Sequence, residues 1–486
     1  MPIVIFYHRR DLRIEDNIAL YNSMKENNII IPVFIFDPNQ ITLNNNNKYY
    51  FSKKAAYFII KSVIDLQKQY KLLGTNLLIL YSNPIKGIKL IIEKILEHYN
   101  DNIIVSFNLD YSKYSIYRDS QIFEIKNITF INDNEYSDFC LYNYTKAYKQ
   151  FSAFYKNIIK TKPIKPLYNN QKKYFISINI FNKIFKNIIF NDINFLLESL
   201  NVNNIWLKIG RTNCLEYLQN VLKKLNDYND NKDKLNYETS KLSAYLNIGT
   251  ISIRELYILF ITSLHKNNNI IKQLYWRDFY LTALRFLNNG NEFKHMDDRY
   301  NNLIWHNRLP IDDDKYKLMK KYWKCMIDSK TGFLLIDACM LELKETGFLH
   351  GRGRILLGVF WIKYLLIDPF DNKYGLQTGF SKLLIDAIGI SQNKLNVQWL
   401  TEFDYSGKRY SPQGISIAGR PIRIDNSQIK KYDKDCFYIK KWLPHLVHLT
   451  NKELYNWNNS TNNIHPKPIF DHKNKYNEWI NLCKNI

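Results

Sequence analysis

Four short runs of branched and aromatic residues constrain this chain more than any other feature. They lie at 3–7, 29–36 (IIIPVFIF), 77–81 (LLILY) and 103–107 (IIVSF), with helix-compatible patterns at 52–70 and 86–99 between them. Strands that alternate with helices predict a parallel α/β sheet. The first run is followed by HRRDLRIEDN, so the glycine-rich dinucleotide fingerprint and the Walker A loop are both absent there. From about residue 206 the character changes. Helical segments dominate at 212–226, 252–265, 270–288, 333–346 and 351–367. The expected organisation is an α/β domain over 1–130, a connector over 131–205 that holds the extended TKPIKP at 161–166, and an all-α domain over 206–486.

With 486 residues, 46% hydrophobic and 23% charged, the chain can bury two or three cores and is expected to fold. No apolar run approaches the roughly 18–20 residues of a membrane span. The start, MPIVIFYHRR, is apolar first and basic second, the reverse of a secretory signal. A soluble, intracellular protein is expected, with the compartment (cytoplasm or nucleus) open. The six cysteines form no CxxC pair, and the ten histidines form no HExxH. His445 and His448 lack the company a metal site needs, so no metal is expected. Lys plus Arg exceeds Asp plus Glu by 23. That field favours a polyanionic partner through counterion release. AT-rich coding, visible in Asn44 to Asn47, produces a similar bias without any function.

Five blocks carry chemistry. TSKLSAYLNIG at 239–249 offers the hydroxyls of Thr239, Ser240 and Ser243 just before a helix, where phosphate oxygens can be held or a plain N-cap made. QLYWRDFY at 273–280 sets Gln273, Trp276 and Arg277 three and four apart on a helix. An amide, a flat aromatic and a guanidinium suit a flipped base and its phosphate; an amphipathic helix with a core Trp is the plainer reading. TGFLHGRGRILLG at 346–358 brings Arg352 and Arg354 close behind His350. LLIDAIGISQNKLNVQW at 383–399 supplies Asp386 as a partner for one of them, and RPIRIDNSQIKKYDKDCFYIKKWLPHL at 420–446 completes the set.

In this order the blocks resemble the photolyase/cryptochrome family. FYHRRDLRIEDNIAL at 6–20, VFIFDP at 33–38, NLDYSKYSIYRD at 108–119 and YKQFSAFYK at 148–156 extend the resemblance over nearly the whole chain. The nearest branch looks like the class I enzymes that repair cyclobutane pyrimidine dimers. The resemblance implies a Rossmann-like antenna domain and an all-α domain holding FAD, active when reduced. It also implies a second antenna chromophore of folate or deazaflavin type, UV-damaged DNA as partner, and a monomer. A flipped dimer would receive an electron from light-excited reduced FAD, and its ring would split.

By the same resemblance Tyr228, Thr239, Ser240, Lys241, Leu242, Ser243, Arg354, Asp386 and Asn393 fall on FAD-binding positions. Gln273 and Trp276 fall on positions that touch the dimer. Arg277, Arg352, Arg423 and Gln428 fall where DNA is contacted, and Trp305 on the outer position of the electron-transfer chain.

The chain departs from the family pattern at several of these positions. Gln273 stands where dimer-repairing enzymes have Glu; it can hydrogen-bond a thymine edge but supplies no carboxylate proton. Relatives acting on (6-4) photoproducts also carry Gln there, but they add two histidines where this chain has Gly351 and Ile355. Gly351 also replaces an Asn of class I enzymes. Pro369 and Val397 occupy the two inner tryptophan positions and cannot carry a hole; Trp361, Tyr364, Phe370 and Trp399 lie nearby. The leading function is light-driven repair of cyclobutane dimers. A cryptochrome-type photoreceptor, a (6-4) photolyase and a non-catalytic DNA-binding protein are the alternatives.

Overall fold

The computed structural model describes residues 1–25, 28–41, 51–110, 113–126, 128–132, 138–148, 151–168, 172–202, 208–287, 302–371, 373–375 and 423–484. The described residues group into two compact units. One draws on Met1–Asn226 and Lys241–Asn291, the other on Asp227–Ser240, Glu292–Leu384 and Gln392–Ile486.

The first unit contains a five-stranded sheet: β1 (Ile3–His8), β2 (Ile29–Phe36), β3 (Leu78–Tyr81), β4 (Ile103–Phe107) and β5 (Thr129–Asn132). Their order is β3-β2-β1-β4-β5, and every pairing is parallel. Parallel neighbours require a crossover, and helices Ile18–Ser23, Lys53–Leu72, Pro84–Leu96 and Lys113–Phe123 supply them. Three of these starts are fixed locally. Asn17, Ser52 and Asn83 each accept a backbone N–H of the first turn, and Pro84 sits where a helix tolerates it. Every residue of β1 is buried, as a strand covered on both faces must be. Pro32 of β2 lies one residue before the β2–β3 ladder begins at Val33↔Leu78.

Two expectations change here. The sheet gains β5, which the residue-130 boundary would cut. The stretch expected to be a connector also contributes to the sheet core. Ile176, Phe181, Ile184 and Phe185 pack with Ile31, Ile88 and Ile91, and Ile176 N donates to Ile30 O at 3.1 Å. Apolar positions three and four apart in helix Ile178–Phe185 account for this packing.

The segment after β1 ties the sheet to helices much later in the sequence. Arg13 donates to Asp138 Oδ2 at 2.6 Å, and Arg254 donates to Asp16 Oδ2 at 2.9 Å and Asp138 Oδ1 at 3.1 Å. All four side chains are essentially sealed from solvent. Two guanidiniums and two carboxylates are neutral as a set, which is what lets them be buried together. Nearby, Asp11 accepts from the Arg9 amide at 2.7 Å and Asn108 Nδ2 at 2.6 Å. Burial alone would raise its carboxyl, but His8, the Arg9 amide and Arg13 outweigh burial and hold it well below the usual carboxylate range.

The same segment clamps helix Ser243–Ile248. Leu12 N donates to Ile248 O at 3.1 Å, and Arg10 Nη2 donates to Asn247 O at 2.8 Å. Gly249 ends that helix at φ 72°, and a Cβ there would stand 2.2 Å from Arg10 O. The contact therefore requires glycine on both counts.

The second unit is helical throughout its described residues. Its helices include Asp314–Ile327, Leu334–Thr346, Gly351–Val359 (continued by a π turn at Phe360–Tyr364), Ser427–Tyr432, Phe437–Trp442 and His472–Lys484. Buried Asp337 accepts Thr331 N and Gly332 N at 2.9 Å each and pairs with His465 Nε2 at 2.9 Å.

Removing one member of a buried ion set costs about 3–5 kcal/mol. Arg254→Met is accordingly expected to lower the melting temperature sharply, with Arg254→Lys falling between it and the parent. An unchanged thermal melt of Arg254→Met would contradict a supporting role for the set.

Candidate active site

Helix Asn269–Leu287 of the first unit presents Gln273 at the surface and Trp276 half-buried beside it. Trp276 lies face to face with Phe151, their ring centroids 3.5 Å apart and their planes 6° apart. Tyr280 lies near-parallel to Trp276 at 5.6 Å, and Phe279 meets it edge-on at 5.8 Å. Lys272 Nζ sits 4.9 Å from the centre of the Tyr155 ring and 5.7 Å from that of Phe151. The surface is thus an aromatic face edged by an amide and a cation.

Arg277 does not join it. Its guanidinium donates to the Phe139 carbonyl and lies 3.5 Å from Asp278, leaving the side chain only 10% exposed. Asp278 in turn accepts from Leu141 N and Tyr144 Oη, each at 2.8 Å. The expected phosphate contact from Arg277 is corrected to an internal tie between this helix and residues 139–144.

Lys241, Leu242 and Ser243 enter the first unit at the start of helix Ser243–Ile248. Lys241 has φ 50°, and Leu242 is buried while Lys241 and Ser243 are part-exposed. Thr239 and Ser240 are part-exposed in the second unit.

Tyr228, Arg352, Arg354 and Gln428 also belong to the second unit. Tyr228 is buried, and burial followed by the charge of Asp233 pushes its phenol up to about 12. Arg352 donates to Asp233 and stands 5.1 Å above the Tyr432 ring. Leu235 N donates to Tyr432 O at 2.8 Å, so residues 228–235, the start of helix Gly351–Val359 and helix Ser427–Tyr432 form one cluster. Asp233 is pushed up by burial and pulled down more strongly by Arg352, and ends below its ordinary value. Arg354 is half-buried, donates to Leu349 O at 2.8 Å and lies over Phe348 at 5.1 Å. Gln428 is half-buried and donates to Ser427 Oγ at 3.2 Å; Arg423 is exposed. Asp386, Asn393, Val397 and Trp399 lie outside the described residues.

His350 caps helix Gly351–Val359, its Nδ1 accepting from Arg352 N at 3.0 Å. Its buried Nε2 has no hydrogen-bond partner among the described residues. A Cβ on Gly351 would meet no atom within 4 Å, so space is open beside it.

Comparison with known proteins bears on these clusters. The description "DNA photolyase" matches residues 4–167, and "FAD binding domain of DNA photolyase" matches residues 270–485. The chain belongs to the DNA photolyase/cryptochrome family. It is 29% identical to a deoxyribodipyrimidine photo-lyase of Buchnera aphidicola from Baizongia pistaciae, over 97% of this chain and 96% of that one. It is 26% identical to cryptochrome-2 of Arabidopsis thaliana, over 92% of this chain and 71% of that one. The structure of an archaeal photolyase from Sulfolobus tokodaii, described with two FAD molecules, superposes with a TM-score of 0.77 at 26% identity, and each chain is covered in full.

The FAD-binding domain assigned by family agrees with the chemistry of the second unit. Among the described residues of that unit, the buried His350 Nε2 without a hydrogen-bond partner, the Arg354 guanidinium and part-exposed Thr239 and Ser240 are polar groups of the kind a flavin nucleotide would need. Trp305 is 2% exposed, with Trp479 as a ring neighbour at 6.3 Å. Trp361 and Tyr364 are fully buried; Trp361 Nε1 donates to Tyr374 O at 2.7 Å, and Tyr364 lies parallel to Phe470 at 6.1 Å.

The photolyase domain also holds a pocket that no single residue of the sequence flagged. It opens at the C-terminal ends of β1 and β2, where parallel sheets bind ligands. Tyr7, Phe36, Asp37, Tyr114 and Arg118 line it, and the Tyr114 hydroxyl donates to Asp37. Tyr114 and Arg118 are four apart in the 108–119 block, so their shared helical face was a usable signal.

Burial first, then the charges of Arg352 and Arg354, push His350 from its ordinary 6.5 down to about 4. A histidine depressed in the fold contributes stability that is present above pH 6.5 and is lost as the pH falls toward 4. His350 is therefore expected to remain neutral until near pH 4 in an NMR titration. A midpoint between 6 and 7 would contradict this environment.

Proposed function

We propose that the chain is a light-driven DNA-repair lyase that splits cyclobutane pyrimidine dimers. The observation that carries repair is part-exposed Trp276, with exposed Gln273 one turn before it on the same helix, within a chain of this family; the choice of lesion rests on Gly351 and Ile355. The indole offers a stacking surface to an unstacked base, and stacking of this kind is worth about 1–3 kcal/mol per base. The Gln273 amide can donate and accept at a pyrimidine edge. Exposed Arg423 and part-exposed Gln428 would meet phosphates, as would Arg352 if a phosphate competes with Asp233 for its guanidinium, and such contacts position the strand without reading sequence. The excess of 23 positive charges supports a polyanionic partner.

Reduced FAD, when bound, would supply a photo-excited electron to the dimer and take it back once the ring has opened. Tyr228, Thr239, Ser240, Lys241, Leu242 and Ser243 would hold its phosphate and ribose parts. Arg354, with Asp386 and Asn393, would hold its ring system. The pocket at the ends of β1 and β2 would take a second, light-harvesting chromophore, and the two FAD molecules of the Sulfolobus relative support a flavin-like occupant. Gly351 and Ile355, where (6-4) enzymes carry histidines, favour the cyclobutane lesion.

Two variants test these assignments. Trp276→Ala is expected to weaken binding to a dimer-containing oligonucleotide by about tenfold or more in the dark while leaving binding to undamaged duplex unchanged. Equal binding of damaged and undamaged DNA by the parent protein would instead favour the photoreceptor reading. Arg354→Ala is expected to yield purified protein with reduced flavin absorbance; full flavin content would remove Arg354 from the cofactor site.

A further inference from the structure

We propose that Phe151 is a positioning residue for the lesion, acting through Trp276. This inference rests on the reading of Trp276 as the surface on which the flipped dimer stacks.

The geometry points to a backed stack. The 3.5 Å, 6° contact covers one face of the indole with a parallel ring at van der Waals distance. Phe151 is itself held. Tyr155 lies near-parallel to it at 5.6 Å, one turn along helix Phe151–Ile158, and Phe279 meets it edge-on at 5.7 Å. Phe279 also meets Trp276 edge-on, so the two rings share one perpendicular neighbour. The plane of Trp276 is therefore fixed by a residue more than a hundred positions away in sequence.

An indole free to rotate would have to be ordered when a base stacks on it. An indole already fixed does not incur that loss, which is the general route by which preorganisation raises affinity. The setting argues against plain core packing. Phe151 and Trp276 are both part-exposed, Gln273 is at the surface, and Lys272 holds its ammonium over the rings of Tyr155 and Phe151. A stack edged by an amide and a cation is the composition of a nucleic-acid platform.

The test compares Phe151→Leu, which keeps apolar volume, with Phe151→Tyr, which keeps the ring, in the flavin-loaded protein. The probes are one oligonucleotide carrying a single cyclobutane thymine dimer and the same oligonucleotide undamaged. Phe151→Leu is expected to lower the preference for the damaged strand about fivefold, a fraction of a full base stack, with melting temperature, flavin content and undamaged-strand affinity retained. Phe151→Tyr is expected to restore the preference. In a Trp276→Ala background, Phe151→Leu is expected to have no further effect.

Three results would overturn the proposal. One is an unchanged preference in Phe151→Leu while Trp276→Ala loses it, which sinks the role of Phe151 alone. Another is an additional loss from Phe151→Leu when Trp276 is already gone. The last is an unchanged preference in Trp276→Ala, which removes the stacking surface itself and Phe151 with it.

Discussion

A sealed cluster of four charges organises the first unit. Arg13 and Arg254 share Asp138, and Arg254 also pairs with Asp16, at distances of 2.6 to 3.1 Å, and all four side chains are sealed from solvent. The set joins the loop after β1 to helix Ile253–Ser263 and to the stretch that follows β5. Buried ions contribute little net stability as a set, but a single missing partner leaves a charge with nowhere to go. The arrangement therefore specifies a pairing of segments rather than adding depth to the core. Its neighbour Arg10 extends the same logic to the backbone of Asn247. Helix Ser243–Ile248, which begins with a serine proposed above to hold the cofactor's phosphates, is thereby set by the loop that leaves the first strand. Gly249 is the point where this contact admits no side chain.

Much of the fold was legible because burial leaves a periodic trace. The four central strands are continuous apolar runs, and the helices between them begin at Asn17, Ser52 and Asn83, residues that cap by simple chemistry. The edge strand β5, TFIN, was not legible; it is four residues long and half polar. Helix Ile178–Phe185 was obscured by Asn and Lys between its apolar positions, although 178, 181 and 185 carry the helical spacing. The charge cluster could not be found from sequence at all. Its partners are separated by 116 to 238 residues, and spacing along a chain says nothing about such pairs.

The site was legible in parts. Order of motifs located the helix with Trp276, whose indole lies against Phe151, and the helix with Arg354, whose guanidinium lies over Phe348. Spacing misjudged Arg277. Spacing of three or four fixes the direction of the Cα–Cβ bond, but not where a long, flexible guanidinium ends; it goes where a carbonyl and a carboxylate attract it. Phe139 and Asp278 provide both, and the arginine turns inward. Phe151 went unassigned for the opposite reason. It lies in a block whose resemblance was noted, but its stacking partner is on another helix, and no local pattern announces an aromatic contact of that kind. The burial of Trp305 against Trp479 has the same origin.

The functional account rests on one reaction, and the most direct measurement is turnover of the lesion itself. The flavin-loaded, reduced protein would be mixed with an oligonucleotide carrying one cyclobutane thymine dimer and split between blue light and darkness. Chromatography would then follow the appearance of the oligonucleotide with two intact thymines. The account requires repaired strand in the light, none in the dark, and no loss of reduced flavin over many turnovers. Flavin-loaded protein that leaves the dimer intact under light, whether or not it acts on a (6-4) product, would contradict it.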